Sequence, residues 1–143
     1  MCGKERRAAM GEEAMVETTL TDHMIEAGDA VVRRLDKAGL HPDAAFWLYF
    51  PEPRTWKLVL AEAKLDQQGP RAIYGQIQEI MSAQGEESGG ISLDSVTLAK
   101  PDAPIVSLLR SAIRTGTGIA GIRFTNNVIN GTLIEDAYIY RLP

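Results

Sequence analysis

AAFWLYF (residues 44–50) and WKLVLAEA (residues 56–63), separated by Pro51, Glu52, Pro53 and Arg54, are the stretches that decide the fold of this chain. Both are rich in aromatic and branched side chains, and such runs on either side of a short proline-bearing segment predict an antiparallel hairpin. In the first run neither alternating set of positions is polar. A strand of that composition needs cover on both faces, so helices are expected on both sides of the sheet it joins. Pairing Phe50 with Thr55 at the turn sets the register and places Asp43 opposite Glu62.

Outward from the hairpin the apolar period changes from two to between three and four. Upstream, Leu20, Met24, Ala27, Val31, Leu35 and Ala38 form one helical stripe. Thr19 or Thr21 is expected to cap its start, and Gly39 followed by Pro42 to stop it. Downstream, GPRAIYGQIQEIMSAQG (69–85) predicts a second helix with Pro70 in its first turn and Ile73, Ile77, Ile80 and Met81 inward. EESGG (86–90) is expected to be a loop. ISLDSVTLA (91–99) alternates as a third strand, and Asp102 is expected to cap a third helix with Ile105, Leu108, Leu109 and Ala112 inward. Asn130-Gly131 between two β-like stretches predicts a type I′ hairpin turn. The order α-β-β-α-β-α-β-β gives an α+β fold, a five-stranded mixed sheet with three helices.

The 143 residues fit one domain, expected to span 19–143 behind a flexible tail at 1–18 in which Met10 and Met15, like Met24 beyond it, are alternative starts. At 45% apolar and 24% charged, the composition is that of a soluble globular protein. No apolar run approaches the roughly 20 residues of a membrane span, and the start lacks the apolar core of a secretory signal. The lone cysteine, Cys2, excludes an intrachain disulfide framework, so a cytoplasmic home is expected. A net charge of −4 argues against a general nucleic-acid binder.

RTGTGIAGIRF (114–124) contains Gly116, Gly118 and Gly121, a G-x-G-x-x-G. A dinucleotide site needs a strand before the glycines and a helix N-terminus after them. The expected order here is helix, glycines, strand, which presents carbonyls to a phosphate, so no cofactor is expected.

Pro42-Asp43 and Glu62-Ala63-Lys64 spell PD…ExK. This part of the chain resembles the core motif of the restriction-endonuclease-like nucleases. That resemblance implies Asp43 and Glu62 as ligands of a divalent metal and Lys64 as the group polarising water or phosphate. Read from the residues alone, Asp43 is equally a turn residue and Lys64 a solvated strand end. His23 and Glu26, with Asp22 beside them, are too few for a zinc site, and no metal is expected there. Arg110, Arg114 and Arg123 make residues 104–143 basic and are the candidates for an anion sensor. Tyr138 and Tyr140 share a strand face and are expected to be half-buried.

LRSAIRTGTGIAGIRFTNNVINGTLIEDAYIYRL (109–142) resembles an uncharacterised bacterial protein family, which implies no activity. The leading expectation is a small soluble binding or assembly domain without catalytic machinery. Three helices cannot cover both faces of five strands, so a homodimer is expected, with Trp56, Tyr138 or Tyr140 near the contact. A metal-dependent nuclease using Asp43, Glu62 and Lys64 is the alternative, and an anion or small-molecule sensor the third.

Overall fold

The computed structural model describes residues 19–52, 54–83, 91 and 93–143. The expected tail at 1–18 and the expected loop at 86–90 lie outside the described residues. Helix α1 (Asp22–Lys37) starts where the Thr21 hydroxyl accepts the Met24 N–H at 3.1 Å. It ends in a Schellman motif. Gly39 takes φ +91°, its N–H bonds Asp36 C=O, and the Leu40 N–H reaches back to Leu35 C=O. Strands β1 (Ala44–Phe50) and β2 (Thr55–Ala61) pair antiparallel with Phe50 opposite Thr55, the expected register.

A single helical turn at Leu65–Gln68 leads into α2 (Pro70–Ala83), whose Ile73, Ile77 and Met81 are buried. Strand β3 (Val96–Ala99) returns parallel to β2. It is shorter than the run 91–99, because Leu93–Ser95 coils into a 3-10 turn. Asp94 and Ser95 bring side chains that compete for backbone bonds there, and the Lys57 ammonium holds Asp94 C=O at 2.5 Å.

Helix α3 (Pro104–Ala112) is capped by Ala103 and not by Asp102. The residue before a proline is driven to extended geometry, and Ala103 takes it at φ −59°, ψ 148°. Val106 and Leu109 are the buried pair of α3, Ile105 and Leu108 pack partly buried beside them as expected, and Ala112 is exposed. The helix stops at Ile113, which turns extended, so Gly116 is not its terminator. Strands β4 (Ile122–Ile129) and β5 (Thr132–Arg141) close on Asn130 and Gly131 at φ 50° and 83°, as a type I′ turn requires.

The sheet order is β3-β2-β1-β5-β4, five strands with one parallel pair, and the fold is α+β in the expected order with three helices. Ala44 through Leu48 are all buried, since β1 is the central strand. Ala45, Trp47, Leu58, Leu60 and Tyr140 pack with Val31 and Leu35 of α1 and Ile73 and Ile77 of α2. Phe46, Leu48, Val59 and Ile139 pack on the other side with Val106 and Leu109 of α3. Among the described residues two helices thus cover one face and one short helix the other. Along β4 the left-handed Asn126, at φ 50°, reverses the alternation. Ile122 and Phe124 before it and Ile129 after it all join the α3 side.

Candidate functional site

Asp43 and Glu62 lie just beyond the Ala44–Ala61 pair that ends the first hairpin, and the Asp43 N–H bonds Ala61 C=O at 2.7 Å. Both carboxylates are engaged with the turn that follows β2. Asp43 Oδ2 accepts the Ala63 N–H at 3.0 Å, and Glu62 Oε2 accepts the Lys64 N–H at 3.1 Å. The Leu65 N–H adds a bond to Glu62 C=O, and the helical turn that follows has Lys64 as its N-cap with no side-chain cap bond. Glu62 is only 5% exposed, and its Oε1 is buried with no hydrogen-bond partner. A buried carboxylate oxygen left that way is costly, and a bound cation would relieve it.

Lys64 is exposed and lines an open cleft of about 270 Å³ between the end of α1 and α2, with Gly39, Leu40, Gln76, Glu79 and Ile80 as its neighbours there. No group of three or more metal-ligating side chains forms among the described residues. A divalent ion at Asp43 and Glu62 would therefore take two carboxylates at most and complete its shell with water or phosphate oxygens, an arrangement that suits Mg²⁺. Asp22, His23 and Glu26 all lie on the first turns of α1, and all three are exposed.

The three arginines do not gather into one anion site. Arg110, on α3, donates to Pro143 C=O at 2.6 Å and to Pro101 C=O at 3.4 Å. Arg114 lies beyond the helix. Arg123 points to the opposite side of the sheet, where it grips both oxygens of Asp136 at 2.6 Å and lies 5.9 Å over the Trp56 ring. The Asp136 carboxylate raises the Arg123 pKa further above its ordinary value, so that charge is permanent and already neutralised.

The glycine segment runs from the end of α3 to the start of β4, the reverse of a dinucleotide turn. It is pinned along the end of β5 by Thr115 N–H to Leu142 C=O and Ala120 N–H to Tyr140 C=O. Only Gly121 answers a packing need, because a Cβ there would stand 2.4 Å from the Tyr138 hydroxyl. Gly116 and Gly118 face open space.

Sequence reasoning missed the most buried charge. Arg141 is 2% exposed in the run AYIYRL (137–142). Its Nε donates to Thr117 C=O at 2.7 Å and its Nη1 to Pro42 C=O at 3.1 Å. The two Nη groups also fork onto Asp36 at 3.1 and 2.6 Å. Asp36 is further paired with His41 Nδ1 at 2.9 Å. The group joins the end of α1, the entry to β1 and the glycine loop to the last strand, which is a structural task. A charge inside an apolar run was the one signal that could have found it. Tyr140 is the second such feature. Its hydroxyl accepts from Trp47 Nε1 at 3.0 Å and donates to Ile25 C=O at 2.5 Å, and burial raises its pKa far above the ordinary tyrosine value.

No protein-family model, no curated protein and no solved structure matches this chain.

Proposed function

We propose that the chain is a small binding or assembly domain that works as a homodimer in the cytoplasm. One observation carries the reading. Val128 and Leu133, paired across the β4–β5 hairpin, are 66% and 54% exposed, the large apolar side chains most open to water among the described residues. They alternate with Ile129 and Ile134, which pack on the α3 side, so they crown the opposite face of the hairpin tip. Exposed apolar pairs of this kind mark contact surfaces. Trp56 and Tyr140 are not available for that contact, being 4% and 1% exposed within the chain, and Tyr138 is half-buried. No described helix is long and apolar enough to cross a membrane, and the lone Cys2 suits a reducing compartment. Light scattering after gel filtration at micromolar concentration should give about twice 15.6 kDa. A clean monomer at high concentration overturns the reading.

A divalent-metal-dependent nuclease is the second reading, supported by the unpartnered Glu62 Oε1 and by the place of Asp43 and Glu62 just past the Ala44–Ala61 pair that ends the first hairpin. Where it is correct, Mg²⁺ or Mn²⁺ should drive cleavage of supercoiled plasmid or single-stranded DNA. Glu62→Gln should abolish that cleavage with the circular dichroism spectrum unchanged, since the amide oxygen still accepts the Lys64 N–H. Under the leading reading both proteins leave the DNA intact. Cleavage that survives Glu62→Gln removes the assignment.

A further inference from the structure

The molecule treats the two edges of its sheet differently. β3, one edge, has four residues and runs into Lys100-Pro101. Its outward backbone groups are also taken. The Tyr74 hydroxyl, reaching down from α2, donates to Val96 C=O and accepts the Leu98 N–H, each at 3.2 Å. A helix side chain thus closes that edge, one of the ordinary protections against pairing with another chain.

β4, the other edge, has eight residues with no proline and no lysine. Arg123, Thr125, Asn126, Asn127 and Val128 are exposed, and among the described residues no strand lies beyond it. Beside the kink at Asn126 the Asn127 side-chain amide donates to the Thr125 C=O at 2.7 Å, and on the β5 side the ladder resumes with Asn127 opposite Ile134 and keeps its register to Ile129 opposite Thr132.

We propose that two copies join edge to edge through β4, antiparallel about a two-fold axis, so that two five-stranded sheets become one continuous sheet. The proposal rests on the homodimer reading and names its contact. Three observations converge on a second copy. Charge permits it: Arg123 is the only ionised side chain on β4, and Asp136 of the same chain neutralises it, so two aligned strands present no row of like charges. Size favours it, since a standard interface removes about 800 Å² per partner, more than two exposed side chains offer, and the eight-residue edge beside Val128 and Leu133 extends the contact. Symmetry is available, since a strand paired with its own copy is self-complementary and closes at two subunits. Because the alternation reverses at Asn126, two copies that pair over the whole of β4 about a two-fold axis normal to the sheet keep like faces together only when the axis passes between Thr125 and Asn126, which sets Arg123 opposite Val128.

The full chain tests this. With Cys2→Ser as background, Thr125→Cys should form an intermolecular disulfide on mild oxidation, since the two copies of residue 125 flank the axis on one face with Cα atoms about 6 Å apart, within disulfide range. Gln78→Cys, exposed on α2, should not. The pair Thr125→Lys and Val128→Lys should weaken the dimer at least ten-fold while leaving the thermal midpoint of the monomer unchanged. A wild-type dimer whose mass survives both lysines, with no cross-link in the Thr125→Cys variant, overturns edge pairing and leaves the homodimer standing. A wild-type monomer overturns both. With Cys2 retained, an intramolecular disulfide between Cys2 and the thiol introduced by Thr125→Cys would hand the edge to the chain's own first residues, and the proposal falls.

Discussion

Gly28→Val should destabilise the protein by about 3 kcal/mol, combining overpacking with a broken buried hydrogen bond. Glycine inside a helix costs about 1 kcal/mol relative to alanine, so its presence in the middle of α1 calls for a reason. The reason is proximity. A Cβ at Gly28 would lie 2.4 Å from the Tyr140 hydroxyl, 2.6 Å from Trp47 Nε1 and 3.0 Å from Tyr140 Cζ. α1 therefore approaches the sheet closely enough for the hydroxyl to sit between the Trp47 ring and Ile25 C=O. Any side chain displaces the tyrosine and strands the indole N–H, because all three partners are buried or nearly so. Urea unfolding followed by circular dichroism measures the loss. Gly28→Ala should cost less in a Tyr140→Phe background than alone, since the closest contact is then gone. A Gly28→Val protein within about 0.5 kcal/mol of wild type, the range of an ordinary surface substitution, would show that the sheet and helix separate at little cost.

Asp36→Ala should also cost about 3 kcal/mol, by leaving a buried guanidinium without its counter-charge. Arg141 is 2% exposed, and the remaining acceptors, Thr117 C=O and Pro42 C=O, are neutral. The Asp36 side chain is 24% exposed, so water can enter the vacated space and hold the loss to the lower end of the range for such pairs. Arg141→Met in the Asp36→Ala background should recover part of the loss, because it removes the stranded charge and keeps the volume of the stem. Chemical denaturation of the two single variants and the double variant gives the coupling. Additive losses would mean that Arg141 is held by its carbonyls and not by Asp36.

Much of this architecture was legible from local chemistry. The Thr21 cap, the Gly39 stop, the Asn130-Gly131 turn and the Phe50–Thr55 register each follow from residues within a few positions of one another. That register runs to Ala44 opposite Ala61, one position short of Asp43 and Glu62. The misses are of two kinds. At β3 and α3 local chemistry was present but misjudged: Asp94 and Ser95 favoured a turn over the strand pattern, and Pro104 moved the cap from Asp102 to Ala103. In the rest, the deciding partner lies far away in the chain.

Sequence by itself determined the elements, their order and the two-sided burial of β1, because helical and strand periods, caps and turns are set by neighbours in the chain. Tertiary structure decided what those elements do to each other. It made Gly28 obligatory under Tyr140, buried Arg141 against Asp36, turned Arg110 and Arg123 to opposite faces, and gave Tyr74 the β3 edge while leaving β4 open. Each of these depends on groups separated by 13 to 115 residues, such as Arg123 with Asp136 and Tyr140 with Ile25, and only the packed fold brings such groups within hydrogen-bond reach.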